Sequence, residues 1–226
     1  MERSALINKV KTRIDEVCAS GDVIVEVDVE NTKPYDSIID ELLDESALEV
    51  LLKAPFYRLN VTSATVPCIA IGKVMKVETS SQGTGARTVP SIVKNAGRAT
   101  LPTDYLRLVS FKMTEWSRPI DTLLMPSDEM AKRQANIHTR AGISKPVGVL
   151  KKLSDSYAID YYSVTSEENT HSLEEFLYIK RDKAENIADT QLVDAMCWLC
   201  AAKTLGVLGE NTLANQCAEN AKGLML

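Results

Sequence analysis

The stretch GRATLPTDYLRLVSFKMTEWSRPI, residues 97–120, holds the sharpest change of pattern in this chain. A turn-rich segment ends at Leu101–Tyr105, and an apolar run typical of a strand follows. Pro102 fixes the backbone and removes a hydrogen-bond donor where a ladder begins. Asp104 is a turn-forming residue whose side chain can bond nearby backbone amides. The stretch therefore predicts a junction that leads from a loop into a strand over Leu106–Met113.

Other strand-like segments lie on both sides of this junction and predict a β-rich middle of the chain. They are Tyr57–Val61, Ile69–Ile71, Val74–Val77, Val147–Leu153, Tyr157–Val164 and Glu175–Lys180. In the segment 157–164, Tyr157, Ile159 and Tyr161 alternate with polar or small residues, which is typical of a half-buried antiparallel strand. Ser127 is a suitable cap for a short helix within this middle part.

Both ends of the chain have helical periodicity. The pattern predicts amphipathic helices over residues 2–19 and 34–54, with a strand or an extended connector at Val23–Val27 between them. Asp189 or Thr190 can cap a helix over residues 191–209 that is apolar nearly all round, and a last amphipathic helix follows. We therefore predict an α+β fold in which N- and C-terminal helices pack as a helical bundle. The predicted domains are 1–54 plus 189–226, and a β-rich portion of antiparallel strands over 55–188.

Residues 79–100, TSSQGTGARTVPSIVKNAGRAT, predict a mobile loop inside the β-rich portion. Arg87, Lys94 and Arg98 make it basic, and no acidic residue occurs between Glu78 and Asp104. The GTGART sequence is not followed by the GK[ST] of a phosphate-binding loop. Two interpretations remain: a plain surface loop, or a loop that becomes ordered against a neighbouring chain. In the second case the three basic residues would form a partner-docking loop.

The second predicted helix carries acidic side chains on one face: Asp36, Asp40, Glu41, Asp44 and Glu45. No basic residue occurs between Lys33 and Lys53 to pair with them along the helix. Such a run is usually a solvated face. It also suits a surface that meets a basic partner, or one that lies beside DNA without binding it.

The overall composition limits the classes of function. The 226 residues carry a net charge of −5, which disfavours a dedicated nucleic-acid binder. Cys197 and Cys200 form a CxxC without a second pair, so we expect buried thiols in a reducing compartment rather than a zinc or redox site. The two histidines stand apart, and no catalytic motif is found. The sequence predicts a soluble intracellular protein without enzymatic activity, cofactor, metal or membrane span.

Several segments, taken in order, carry a resemblance to a known family. They are LPTDYLRLVSFKMTEWSRPI, a short helix, the strand pair SYAIDYYS and EEFLYIK, the helix ADTQLVDAMCWLCAAKTLGVLGE and the trailing ANQCAENAKGL. This order resembles the head-to-tail adaptor, or tail-tubular and ring, proteins of short-tailed bacteriophages. The residues that match are Leu101, Pro102, Asp104, Tyr105, Tyr157, Asp194, Ala201 and Ala202. A polar loop over 166–172 replaces the family's proline-rich step, and the basic loop is longer, as in a diverged lineage such as the crAss-like phages.

The resemblance implies a virion structural protein of the neck or tail that is assembled in the host cytoplasm. Such a connector forms a homo-oligomeric ring of about twelve subunits, docks on the portal protein and on adjacent tail or ring proteins, and continues the DNA channel. DNA would pass through without specific binding during genome retention and ejection, and Asp36, Asp40, Glu41, Asp44 and Glu45 could line the channel.

In such a ring the C-terminal helix would contact a neighbour through Leu192, Met196, Leu199 and Leu205. The alternative is a non-viral α+β module that binds proteins or acts as a scaffold.

Overall fold

A computed structural model of the chain describes residues 1–18, 35–71, 76–77, 92–93 and 95–225. In this part of the chain the helices are α1 (Arg3–Cys18), α2 (Tyr35–Lys53), α3 (Glu129–Arg133), α4 (Thr190–Val207) and α5 (Asn211–Met225). The strands are β1 (Val61–Ser63), β2 (Cys68–Ala70), β3 (Lys76–Val77), β4 (Ile92–Val93), β5 (Asn95–Thr100), β6 (Tyr105–Met113), β7 (Gly148–Lys152), β8 (Tyr157–Val164) and β9 (Leu173–Lys180). The fold is α+β with helices at both ends and antiparallel sheets, as the sequence predicts.

The chain divides into two compact units. The helical unit comprises Met1–Asn60 and Arg181–Leu226, and the β unit comprises Val61–Lys180. The predicted domain limits, at residues 54 and 189, lie six and eight residues away from these boundaries. The difference arises because the short 3-10 turns Phe56–Arg58 and Ala184–Asn186 belong with the helices.

The helical unit is arranged around α4, which packs against α1, α2 and α5. The Asp189 side chain caps α4 by accepting a hydrogen bond of 3.0 Å from the Leu192 amide, which satisfies one of the free donors of the first turn. The prediction that Leu192, Met196, Leu199 and Leu205 face a neighbouring subunit is contradicted. All four are at most 8% exposed, because three helices of the same chain already cover the apolar circumference of α4.

Two cysteines of α4 lie in this packed interior, as the sequence predicts. Cys197 and Cys200 are fully buried, and burial raises the pKa of the thiol to about 11 and about 12, respectively. Because a thiolate is disfavoured there, these thiols are packing groups.

The β unit contains two antiparallel sheets with a shared apolar core. One sheet has the strand order β1-β9-β6, the other has the order β2-β5-β8-β7, and β3 pairs with β4 separately. The core takes Phe111 and Phe176 from the first sheet, and Ile159 and Tyr161 from the second. Trp116, which follows β6, packs edge-on against Phe111 and donates to the Ser163 carbonyl oxygen at 3.1 Å.

The junction before β6 forms as predicted, with one difference. The Tyr105 amide donates to the Pro102 carbonyl oxygen at 3.1 Å, which closes the turn, and Leu101 is buried. Asp104 accepts a hydrogen bond of 3.1 Å from the Tyr178 hydroxyl rather than from a backbone amide. The junction is therefore anchored to β9, the strand that pairs with β6.

Other predictions differ from the structure in the β unit. Residues 95–100 of the predicted mobile loop form β5, which lies between β2 and β8 in its sheet. The segment Phe56–Arg58 is a 3-10 turn rather than a strand, and α3 begins after Asp128 without a side-chain cap from Ser127. Residues 79–91 and Lys94 of the predicted loop, and the segment 23–27, lie outside the described residues.

Candidate functional site

A cluster of charged side chains lies on the sheet face directed away from the shared core. In the register of β5 and β8, Arg98 lies directly opposite Asp160, and β7 brings Lys151 alongside. The Asp160 carboxylate accepts hydrogen bonds from Arg98 Nε at 2.6 Å and from Arg98 Nη2 at 3.1 Å, and it forms an ion pair with Lys151 Nζ at 2.6 Å. Cross-strand neighbours of opposite charge thus hold one another in place.

The Asp160 side chain is fully buried, whereas Arg98 and Lys151 keep 33% and 41% of their side-chain surface exposed. Burial by itself raises the pKa of Asp160, but the hydrogen bonds from Arg98 and Lys151 outweigh this effect and lower the pKa below its usual value. The same pairing raises the pKa of Arg98. Asp160 is therefore an ionised carboxylate that fixes the positions of two cations at the surface.

A pocket opens above this cluster, with a volume of about 320 Å³. Its floor is the outer face of the sheet, and its opposite wall is formed by α3 and the turns that follow it. We call it the Arg98 pocket; it is lined by Ile71, Ala96, Arg98, Ala131, Lys132, Gln134, Ala135, Arg140, Lys151, Asp160 and Tyr162. Four of these side chains are cations and one is a carboxylate, so their formal charge is +3.

The wall of the pocket is held by the buried side chain of Gln134. Its amide donates to the Met130 carbonyl oxygen, and its side-chain oxygen accepts from the Ala141 amide, both at 2.9 Å. Arg140 donates from Nε to the Gln134 carbonyl oxygen at 2.8 Å and stacks over the Tyr162 ring at 5.4 Å. The hydrogen bonds hold the wall together, and the stacking of Arg140 on Tyr162 joins it to β8.

The core face of β8 carries a second polar group. The Tyr161 hydroxyl and His171 Nδ1 form a buried hydrogen bond of 2.8 Å, while His171 Nε2 is buried with no partner among the described residues. Burial lowers the pKa of His171, although Glu115 acts in the opposite direction. Gly97 makes this arrangement possible, because a Cβ at that position would lie 2.1 Å from the Tyr161 hydroxyl.

Among the three residues predicted for a docking loop, Arg98 is described, and it belongs to β5 rather than to a loop. Arg87 and Lys94 lie outside the described residues. Arg98 is thus a basic residue of the candidate site, but the sheet and Asp160 position it.

The predicted acidic face of α2 is engaged within the helical unit. Lys11 of α1 lies 2.5 Å from Asp36, and Lys203 of α4 lies 2.8 Å from Glu45. Arg3 of α1 pairs with both Asp40 and Asp44. The fifth residue, Glu41, lies on the same helix and also has an interaction within the chain. Cations from other helices therefore supply the partners that the sequence of α2 lacks, and much of the expected negative surface is neutralised.

Comparison with protein-family models and with curated proteins finds no match to this chain. The described residues contain no group of three or more histidine, cysteine, aspartate or glutamate side chains that could hold a metal ion. In the same part of the chain, no helix has both the length and the apolar character needed to cross a bilayer.

The sequence interpretation missed Lys132, Arg140, Lys151 and Asp160. One signal for Asp160 was present, because it is the only charged residue in the strand YAIDYYSV. An acidic residue is unfavourable in the middle of an apolar strand unless a cation pairs with it. The partner could not be identified, since Arg98 is 62 residues away in the chain.

Proposed function

We propose that this chain is the subunit of a ring-forming head-to-tail connector in a short-tailed bacteriophage. It would dock on the portal in the virion neck and continue the DNA channel for genome retention and ejection. The observation that supports the proposal most is the arrangement of the chain: both ends fold into one helical unit, and the β unit is a single insertion between them. This is the element order on which the resemblance to the connector family depends.

An exposed apolar patch supports a contact between subunits. Leu52, Phe56 and Tyr57 are 46%, 43% and 77% exposed, at the end of α2 and in the turn that follows it. Exposed aromatic and aliphatic side chains close together in the chain are typical of protein interfaces. In a ring this patch would bind a different surface of the next subunit, because head-to-tail contacts join two unlike faces. This contact replaces the one expected for α4.

Passage of DNA without specific binding is consistent with the charge of the chain. A net charge of −5 per subunit, repeated around a ring, repels phosphate. We do not assign the channel wall to α2, since Asp36, Asp40, Asp44 and Glu45 form ion pairs with other helices.

A second candidate is a non-viral α+β module that binds proteins or acts as a scaffold. The burial of α4 favours it, because the helix expected to need a neighbouring subunit is covered within one chain. A module of this kind would remain monomeric or dimeric and would not recognise a portal.

The connector proposal is tested by measuring mass and imaging particles of the chain mixed with the portal protein from the same genome. Light scattering and negative-stain microscopy should show a closed ring bound to the portal. Tyr57→Ser should weaken ring formation, whereas Tyr157→Ser, at an exposed tyrosine of the β unit, should not. A chain that stays monomeric with the portal present contradicts the proposal. If the Tyr57→Ser variant still forms the ring, the connector proposal stands, but this patch is not the contact between subunits.

A further inference from the structure

We propose that the Arg98 pocket binds side-chain carboxylates of an acidic peptide segment on a partner protein. The pocket lies entirely within the β unit, so this inference does not depend on the connector proposal.

Three cations of the pocket, Arg98, Lys132 and Lys151, retain donors for a ligand. Asp160 uses Nε and Nη2 of Arg98, and Nη1 of Arg98 makes no hydrogen bond to a described residue. Lys151 pairs with a single oxygen of Asp160 and can direct its other N–H groups to a second acceptor. Lys132 lines the pocket from α3 and forms no ion pair within the described part of the chain.

Asp160 makes these donors effective because it holds two cations in fixed positions before any ligand arrives. A flexible lysine or arginine loses side-chain entropy when it is immobilised by a ligand. Here the buried carboxylate has already immobilised Arg98 and Lys151, and both remain partly exposed. The pocket therefore combines excess positive charge with preorganised donors.

The walls favour a peptide carboxylate over a nucleic-acid phosphate. Ile71, Ala96, Ala131 and Ala135 add apolar surface to the lining of the pocket, which suits the methylene stem of a glutamate side chain. A volume of about 320 Å³ admits side chains but no duplex. Binding to a phosphate backbone also needs a track of several cations along the strand, and the net charge of −5 opposes it.

The test is fluorescence anisotropy with a labelled hexaglutamate peptide, at low and at moderate ionic strength. The wild-type chain should bind the peptide, and added salt should weaken the binding. Lys132→Glu should weaken it about fivefold or more, because it reverses a charge in the pocket. Arg133→Glu is the matched control: it makes the same charge change at the next residue, which is exposed and does not line the pocket.

A second variant and its matched control test the contribution of Lys151, which lies on the floor of the pocket. Lys151→Met should weaken peptide binding, while Lys152→Met, one residue further along β7, should leave it unchanged. Thermal melting of every variant confirms that the fold is retained. Inorganic phosphate and a single-stranded oligonucleotide are measured as competitors in separate arms.

Three results would overturn the inference. They are absence of peptide binding to the wild-type chain, equal weakening by the pocket and control variants, and displacement of the peptide by phosphate or by the oligonucleotide at concentrations below that of the peptide. The last result would assign the pocket to phosphate groups instead.

Discussion

The acidic side chains of α2 in the helical unit and the Asp160 side chain in the β unit differ in how much of their surface is exposed. The helical unit spreads acidic residues along α2, where Asp36 and Glu45 keep 59% and 64% of their side chains exposed while paired with lysines. The β unit buries one carboxylate, Asp160, completely beneath two cations. Exposed pairs contribute little because water screens them, whereas a buried charge depends on its partners. Loss of a partner of Asp160 should therefore lower the free energy of unfolding more than loss of a partner of an α2 carboxylate.

The largest decrease in the free energy of unfolding should follow removal of Arg98, the main partner of Asp160. Arg98→Met leaves the carboxylate buried with Lys151 alone, and we expect the β unit to lose about 3 kcal/mol of unfolding free energy. The chain has two tryptophans, and Trp116 lies in the β unit, so denaturation in a Trp198→Phe background reports on that unit by fluorescence.

The matched control for this prediction is the double variant Arg98→Met, Asp160→Leu. It removes the buried charge together with its partner and should recover most of the loss. A double variant no more stable than Arg98→Met would show that the ion pair is not the cause.

The next effect concerns pH and is also confined to the β unit. Burial lowers the pKa of His171, so the unfolded chain binds its proton near pH 6.5 while the folded chain resists protonation until a lower pH. The unfolded state then holds more protons, and the free energy of unfolding should fall as the pH drops from about 6.5 to the lowered pKa. The expected change is about 1.4 kcal/mol per pH unit by which the pKa is lowered.

Urea denaturation between pH 7.5 and 5 measures this slope. His171→Gln should abolish it, whereas His138→Gln, at an exposed histidine, should preserve it. A slope that survives His171→Gln assigns the effect to another group.

A smaller effect is expected at the start of α4. Asp189→Ala removes the acceptor of the Leu192 amide and should cost the helical unit about 1 kcal/mol. Asp189→Ser retains a capping oxygen and should cost much less. Circular dichroism at 222 nm during thermal unfolding distinguishes the two variants, and equal losses would exclude the cap as the cause.

The smallest change in the free energy of unfolding should follow a substitution on the acidic face of α2. Asp36→Asn breaks an exposed ion pair with Lys11 and should change the unfolding free energy by less than about 0.5 kcal/mol. Urea denaturation followed by circular dichroism at 222 nm measures this change. A loss as large as that of Arg98→Met would contradict the difference between the two units.

The sequence predicts the elements whose signal is local. The apolar periodicity of α1, α2, α4 and α5, the cap at Asp189 and the junction before β6 all depend on residues within a few positions of one another. β5 was missed because NAGRAT is small and polar, and only pairing with β2 and β8 makes it a strand.

The functional residues were harder to predict because their partners are distant in the chain. Lys203 pairs with Glu45 from 158 residues away, so the sequence of α2 by itself shows no partner for its acidic face. The strand β8 was expected to be half-buried, but Asp160 is buried on its outer face, where α3 and the following turns form the opposite wall of the pocket. The apolar surface of α4 was correctly recognised as needing cover, but sequence alone does not say which chain provides it.

The most direct test of the buried carboxylate is a titration of the Asp160 side-chain carbon by ¹³C NMR from pH 7 to pH 4, with resonances assigned by triple-resonance experiments. Ordinary aspartates begin to protonate as the pH approaches their pKa of about 3.9. At pH 4 the Asp160 carboxyl signal should have moved less from its ionised position than the signal of an ordinary aspartate, because Arg98 and Lys151 lower its pKa. An Asp160 signal that has moved at pH 4 as far as that of an ordinary aspartate, or further, would contradict the account.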